Sequence, residues 1–219
     1  MKISMKKGFR SCCFAFQVLV LRSNQFSGMT TDLQDNDQIS NCFSNLQILD
    51  LASNQFSGNL PKEWFNELES MENGNDDGQV VGHQINVEVG FYRDDITITY
   101  KGSDLIFTKI LTTFKVIDLS NNSFVGNIPE SIGSLVSLHG LNMSYNNFMG
   151  QIPSQLGNLT RLESMDLSWN HLSGEIPQQL TSLTSLSWLN LRPSSCLPFL
   201  VWGLEWVSHW RSCSDAFST

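Results

Sequence analysis

Apolar residues recur along the chain in one fixed pattern, L-x-x-L-x-L-x-x-N-x-F-x-G-x-I-P. Three consecutive copies fill it between residues 114 and 177, with asparagines at Asn122, Asn146 and Asn170, a period of 24 residues. An earlier copy is complete around Asn54, and a partial one surrounds Asn24. Because the L-x-L core alternates inward and outward positions, each copy predicts one short β-strand with its apolar side chains facing inward.

These copies must stack on one another, because a single copy cannot bury its own apolar edge. Stacked strands pair into a parallel sheet, with a spacing of about 4.8 Å between strands. The asparagine turns inward after the strand, where its amide can bond backbone groups of adjacent coils. The pattern therefore predicts an α/β solenoid with a parallel β-sheet on the concave face and an irregular or short-helical convex side.

The interval between Asn54 and Asn122 is 68 residues, 44 more than one period, which predicts an insertion at residues 62–113. Three segments of it have the patterns of regular structure, an acidic helix followed by two strands: 62–72, 84–89 and 95–100. Residues 105–114 fit either another strand or the start of the next repeat.

Five segments are therefore expected: an atypical N-terminal segment, repeats, an acidic insertion, further repeats and a divergent tail, at residues 1–15, 16–61, 62–113, 114–191 and 192–219. In the tail, Trp202, Trp206 and Trp210 have the spacing of a short helix with an aromatic face. Translated intron or frameshifted sequence is the account of this segment that we favour over such a helix.

The charge and the apolar runs of the sequence exclude some classes of function. With 13 Lys+Arg against 21 Asp+Glu, the net charge of −8 argues against a nucleic-acid binder, which needs a basic face. No run of about 18 apolar residues is present, which excludes a membrane span. The basic and apolar N-terminus imitates a signal peptide but lacks a cleavage site of small residues, so that interpretation stays open.

Candidate chemistry is sparse. The five cysteines form no C-x-x-C pair, which excludes a zinc ribbon and leaves disulfides open. The four histidines are scattered. The loop at residues 73–78 has oxygen side chains in calcium-loop positions, but Gln84 stands where that loop requires glutamate. We therefore expect no catalytic residues, no metal and no cofactor, and the chain is not expected to be an enzyme.

The 24-residue unit with its G-x-I-P turn resembles the plant-specific class of extracellular leucine-rich repeats. The insertion resembles the island domain of plant receptor-like proteins, which lack the kinase of leucine-rich-repeat receptor kinases. Tyr92, followed after eight residues by Lys101 and Gly102, fits the Y-x8-K-G pattern of that island. The chain is thus expected to be the C-terminal part of such an ectodomain, without its membrane anchor.

This resemblance implies a non-enzymatic recognition module on the extracellular face of the plasma membrane. Intact family members bind an extracellular peptide or protein ligand and recruit leucine-rich-repeat receptor kinase co-receptors, in plant defence or development. A cysteine-bearing cap closes the stack in the family, so Cys196 and Cys213 are the candidate pair for a bridge here. Two alternatives stay open: a secreted inhibitor of cell-wall-degrading enzymes, and a truncated, non-functional receptor product.

Site residues follow from position in the repeat. Three sequons mark glycosylation candidates at Asn121, Asn142 and Asn158. The outward strand positions, Ile48 and Val116 among them, are expected to form the open concave recognition surface. The candidate partner contacts are aromatic, acidic and island residues: Tyr145, Trp169, Asp118, Asp166, Tyr92, Lys101 and Gly102.

Overall fold

The computed structural model describes residues 17–29, 43–72, 96–107 and 113–192. Within these ranges each coil contributes one short strand to a six-stranded parallel sheet. In spatial order its strands are β1 Val18–Val20, β3 Ile48–Asp50, β7 Val116–Asp118, β9 Gly140–Asn142, β11 Ser164–Asp166 and β13 Trp188–Asn190. The predicted solenoid with its parallel sheet is confirmed.

Stacking continues across the point where the insertion leaves the repeats. Strand β3 pairs directly with β7, and the register joins Asp50 to Asp118. The next pair keeps the same register, since Asp118 is the partner of Asn142. The inserted residues therefore leave the coil-to-coil pairing unbroken.

A second parallel sheet runs along the flank of the stack, which the sequence did not predict. Each of its strands comes after the asparagine that recurs in every coil. In spatial order they are β12 His171–Leu172, β10 Asn147–Gly150, β8 Ser123–Asn127, β4 Gln55–Asn59 and β2 Ser27–Met29. We expected only a Gly-Pro turn there. The turn is present, with Gly126 at φ 80°, but the residues before it are extended and pair with neighbouring coils.

The convex side is made of short helices that begin immediately after a proline. In the later coils these are 3-10 helices, at Glu130–Ser134, Ser154–Asn158 and Gln178–Ser182. The coil of β3 has α1 (Lys62–Asn66) and α2 (Glu69–Glu72) in the same place, and Phe65 and Met71 are buried in the repeat core. Residues 62–72, predicted as one helix of the insertion, are thus two short helices that occupy the convex position of a coil.

Phenylalanines form a continuous row through the core. The rings of Phe26, Phe56, Phe124 and Phe148 stack in turn, with centroids 6.4, 6.3 and 6.1 Å apart. Full burial of one such side chain contributes about 1.5–3 kcal/mol. Each ring therefore stabilises the contact between its coil and the next.

The asparagine of each coil bonds the backbone of the coil before it. The Asn146 amide nitrogen donates to the carbonyl of Leu119, 3.0 Å away, and its oxygen accepts the N–H of Phe124 at 3.1 Å. Asn122 and Asn170 repeat this geometry. The inward orientation expected of these asparagines is confirmed, and it satisfies backbone groups that the turn would otherwise bury unpaired.

Candidate recognition surface

A hairpin from the insertion covers part of the concave sheet. It consists of β5 (Ile96–Tyr100) and β6 (Ser103–Phe107), which pair in antiparallel register. The apolar side of β5 packs on the outward side chains of β3 and β7, so that Ile48 and Val116 are only 1% and 2% exposed. The expectation that these two positions belong to an open concave surface was wrong, because the hairpin buries them.

Gly140 lets the hairpin approach the sheet closely. The ring of Tyr100 lies over this residue, and a Cβ added to it would be 3.1 Å from the ring and 3.2 Å from Val116. Any larger side chain would displace the aromatic ring. A glycine in this outward strand position is therefore a packing requirement of the docked hairpin.

The hairpin tip is fixed on the coils of β11 and β13. The Tyr100 hydroxyl and the Lys101 ammonium both donate to one carboxylate oxygen of Glu163, at 2.9 and 2.7 Å. The backbone N–H of Lys101 donates to the Ser164 hydroxyl at 3.0 Å. Gly102 has φ 73° and lies against the indole of Trp188, where a Cβ would stand 2.5 Å from the ring. The tip is therefore a docking element within the chain.

A charged cluster holds the opposite side of the hairpin. Arg22 donates to Asp50 and to Asp118, each at 2.8 Å, and to the Thr99 hydroxyl of β5 at 2.5 Å. The carboxylate of Asp104 in β6 lies 3.5 Å from the same guanidinium. Arg22, which follows β1, thus contacts β3 and β7 of the solenoid and both strands of the hairpin.

Burial perturbs the acids of this cluster. The side chains of Asp50 and Asp118 are fully buried. Desolvation, followed by the nearby charge of Asp50, raises the pKa of Asp118 to about 6, and desolvation likewise raises the pKa of Asp50. The Arg22 guanidinium opposes these shifts without cancelling them, because one cation faces two buried carboxyl groups.

Further along the same register, asparagine alternates with aspartate. Asn142 donates to Asp118 at 3.3 Å, and Asn190 donates to Asp166 at 3.1 Å. Each aspartate also accepts a backbone N–H two residues on, from Ser120 and from Ser168. In these coils the asparagine amide therefore donates to the aspartate of the preceding strand. Where two aspartates are adjacent, at Asp50 and Asp118, Arg22 is the shared donor.

The open part of the surface is an aromatic edge beside the strand ends. Tyr145 and Trp169 stack with centroids 5.4 Å apart and planes 13° apart, and the guanidinium of Arg192 lies 4.9 Å from the Trp169 ring. Tyr145 is 54% exposed. Both aromatic residues have positive φ, 53° and 55°, a conformation that disfavours large side chains. We call Tyr145, Trp169 and Arg192 the aromatic edge.

Comparison with known proteins agrees with this architecture. The family model described as Leucine Rich Repeat matches residues 45–66, 113–135, 137–159 and 161–183. Receptor-like protein 34 of Arabidopsis thaliana is 43% identical over 128 residues, which cover 58% of this chain and 12% of that protein. The chain carries leucine-rich repeats, and they are similar to those of plant receptor-like proteins. It spans only about an eighth of that relative's length.

Solved structures of leucine-rich-repeat ectodomains resemble the chain as well. The ectodomain of the Arabidopsis thaliana receptor kinase GASSHO1/SCHENGEN3, in complex with CASPARIAN STRIP INTEGRITY FACTOR 2, aligns with a TM-score of 0.54 and 27% identity over 80% of this chain and 15% of that one. The Arabidopsis receptor kinase HAESA, in complex with the peptide hormone IDA and the co-receptor SERK1, aligns with a TM-score of 0.50 and 26% identity over 80% and 22%. Within the described part of this leucine-rich-repeat chain, no helix is long and apolar enough to cross a membrane.

The structure separates the predicted partner contacts into three groups. Tyr145 and Trp169 lie together at an open edge, whereas Asp118 is buried beneath the hairpin and Asp166 is half-buried. Lys101 and Gly102 contact the solenoid itself. Tyr92 lies outside the described residues, as do the loop 73–78, the predicted strand 84–89, the tail tryptophans and all five cysteines.

The three sequons also differ. Asn158 is exposed at the end of a convex 3-10 helix, and Asn121 is exposed beside the aromatic edge, where its amide donates to Ser53 at 3.1 Å. Asn142 is 9% exposed, and the nitrogen that a glycan would occupy donates to Asp118. The described conformation therefore argues against the glycan expected on Asn142, because the two uses of that nitrogen compete.

Sequence reasoning missed four residues that this surface depends on: Arg22, Glu163, Trp188 and Arg192. Each belongs to a variable position of the repeat, where the pattern specifies nothing. Arg22 had one available signal, since Asp50 and Asp118 occupy the same outward position in adjacent coils and two neighbouring buried acids require a cation. Glu163 and Trp188 depend on where the hairpin lies, and Arg192 depends on the Trp169 ring against which it packs, neither of which the periodicity encodes.

Proposed function

We propose that this chain is a non-enzymatic recognition module of a plant cell-surface receptor-like protein. It binds an extracellular peptide or protein ligand and acts through a leucine-rich-repeat receptor kinase co-receptor, in defence or developmental signalling. Support comes from the receptor-like relative and from the neighbouring ectodomain whose structure contains a peptide hormone and a co-receptor. The module acts by surface complementarity and performs no chemistry.

The aromatic edge carries this proposal. Its two rings are stacked, the Tyr145 side chain is more than half exposed, and the Arg192 guanidinium extends the stack to the next coil. Tyrosine, tryptophan and arginine are the residue types enriched at binding hot spots. Ser23, Ser53 and Asn121 have the same positive φ in their coils, so this backbone conformation belongs to the repeat. What distinguishes Tyr145 and Trp169 is that large aromatic side chains occupy it.

The proposed setting is the extracellular face of the plasma membrane, reached through an anchor in the intact receptor. Asn158 and Asn121 are the sequon asparagines that a glycan can reach on the described surface. A glycan on Asn121 would stand beside Tyr145 and would limit the directions from which a partner approaches. The convex glycan at Asn158 would leave the aromatic edge free.

The test is binding of the full chain to the immobilised ectodomain of the co-receptor SERK1, measured by biolayer interferometry. We expect Trp169→Ala and Tyr145→Ala each to weaken binding at least about tenfold, the effect of losing about 1.4 kcal/mol at a hot spot. Ser23 and Ser53 have the same positive φ at this position of their coils, so a small side chain is compatible with this backbone and contact area is the main loss.

Met149→Ala is the matched control, because Met149 is an exposed apolar residue of β10 in the flank sheet and is 50% exposed. Its affinity should equal that of the unmodified chain. A cooperative thermal melt of every variant first establishes that the chain folds. If the folded chain does not bind, or if Trp169→Ala binds as tightly as Met149→Ala, this proposal is wrong.

A further inference from the structure

Carboxylates outnumber cations where the hairpin meets the sheet. Asp50, Asp118 and Asp104 all lie against Arg22, at 2.8, 2.8 and 3.5 Å. Asp50 and Asp118 are fully buried and are register partners on adjacent parallel strands. One guanidinium can compensate one of these two buried charges, and the second has no cation of its own in the cluster.

We propose that the hairpin is a proton-sensitive latch on the concave face, closed while the Asp50–Asp118 pair retains a proton and loosened when both carboxyl groups are ionised. The hairpin takes part in this equilibrium directly, because Thr99 of β5 and Asp104 of β6 contact the same guanidinium. Asp104 also accepts the Thr99 hydroxyl at 2.6 Å and adds a third negative charge to the closed state.

Two like charges in a site of low polarity cannot both ionise easily, so one member of such a pair keeps its proton to a higher pH than an isolated carboxyl group does. The raised pKa of Asp118, about 6, agrees with this, and its causes are burial first and the charge of Asp50 second. When the hairpin leaves, water reaches both carboxyl groups, and Asp104, whose charge raises the pKa of Asp50, moves away. Both changes bring the pKa values of the Asp50–Asp118 pair back toward the ordinary range.

The charged groups that act on Asp118 are Asp50 on β3 and Arg22 after β1, whereas Asp104 on β6 acts on Asp50 and contacts Arg22. Asn142 on β9 contributes a neutral amide donor. Glu163, which holds the hairpin tip, loses its proton at lower pH, because the hydrogen bond from Lys101 lowers the pKa of its carboxyl group. Glu163 therefore stays ionised through the range in which Asp118 loses its proton, and only the Arg22 side of the hairpin responds.

The direction follows from linkage. A carboxyl group with a raised pKa in the closed state stabilises closure fully below the ordinary pKa, and this stabilisation is lost as the pH rises through about 6. A change from about 3.9 to about 6 limits the effect to roughly a hundredfold in the closing equilibrium. The open latch exposes Ile48 and Val116, so the concave face becomes available to a partner only as the pH rises.

Hydrogen exchange of the full chain tests the latch, read by mass spectrometry on peptides covering residues 96–107 and corrected for the intrinsic pH dependence of amide exchange. Protection of the hairpin should fall at least about tenfold from pH 5 to pH 7.5. Peptides from β9 and β11, in the same samples, report whether the solenoid stays folded. Their protection should not follow that of the hairpin.

Three substitutions make the test specific. Asp118→Asn should abolish the pH dependence, and Asp104→Asn should raise hairpin protection at pH 7.5 while leaving pH 5 unchanged. Asp166→Asn is the matched control, since Asp166 holds the same register position two strands away and bonds Asn190 instead of the hairpin cluster. It should behave like the unmodified chain.

Hairpin protection that does not vary with pH would overturn the proposal. So would a pH response shared by the β9 and β11 peptides, or one that Asp166→Asn removes as effectively as Asp118→Asn. Should Asp118→Asn instead leave the hairpin unprotected at every pH, the Asp104→Asn variant then provides the test. If hairpin protection at pH 7.5 in Asp104→Asn equals that of the unmodified chain, the latch is refuted.

Discussion

The asparagine row allows a direct measurement of what holds adjacent coils together. Asn146 is 5% exposed and makes four bonds to backbone groups, two of them to Leu119 and Phe124 of the preceding coil. Asn24 occupies the same position of its coil, is exposed, and among the described residues bonds the carbonyls of Leu21 and Arg22 in its own coil. Replacing each by alanine therefore separates inter-coil bonds from local ones.

The two substitutions should differ clearly in cost. Asn146→Ala leaves the buried N–H of Phe124 without its side-chain acceptor, at about 1–3 kcal/mol, whereas the Leu119 carbonyl loses one donor and keeps the Asn122 amide at 3.2 Å, so about 3 kcal/mol in total is expected. Asn24→Ala should cost about 0.5–1 kcal/mol, because water replaces the lost bonds. For a chain of this size, about 3 kcal/mol corresponds to a fall of roughly 6–12 °C in Tm.

Urea unfolding followed by far-ultraviolet circular dichroism gives both free energies, provided that the slope with urea is the same for all variants. Asn146→Asp is a useful third variant: it keeps an acceptor for Phe124 but places a carboxylate oxygen against three carbonyls, and it should be at least as destabilising as alanine. The reasoning fails if Asn146→Ala costs no more than Asn24→Ala, since the inter-coil bonds would then contribute nothing.

Two further results are expected. Gly140→Val should push the Tyr100 ring off the sheet and strongly reduce hydrogen-exchange protection of residues 96–107, while the repeats stay folded; full protection of the hairpin in this variant would refute the packing argument. In chain secreted from plant cells, Asn158→Gln should remove one glycan from the intact mass, whereas Asn142→Gln should remove none because Asn142 bonds Asp118. A glycan found on Asn142 would mean that the hydrogen bond from Asn142 to Asp118 is absent from that material.

The repeat made most of the fold predictable. Its strand, its inward asparagine and its apolar positions are set by local alternation and by a period of 24 residues, and stacking follows because no copy can bury its own edge. The flank sheet was not predictable in the same way. Its residues, such as those of β8, carry no alternating apolar pattern and become strands only because the preceding coil offers backbone partners.

The candidate site was predictable only where it coincides with the repeat. Tyr145 and Trp169 were identified because one period separates them, and their contact follows from the stacking of coils. Asp118 shares a register with Asp166, yet one is buried and the other only half-buried. The difference comes from the hairpin, whose contacts with the sheet join residues far apart in sequence.

The sequence by itself determined the solenoid, because a periodic pattern of apolar residues leaves one efficient way to bury them. Tertiary structure alone decided which part of the concave face stays open. That outcome depends on Arg22, Gly140, Glu163 and Trp188, which meet the hairpin from four different strands or their ends. Contacts of this kind depend on shape and charge in three dimensions, and variable positions of a repeat give no sign of them until the chain is folded.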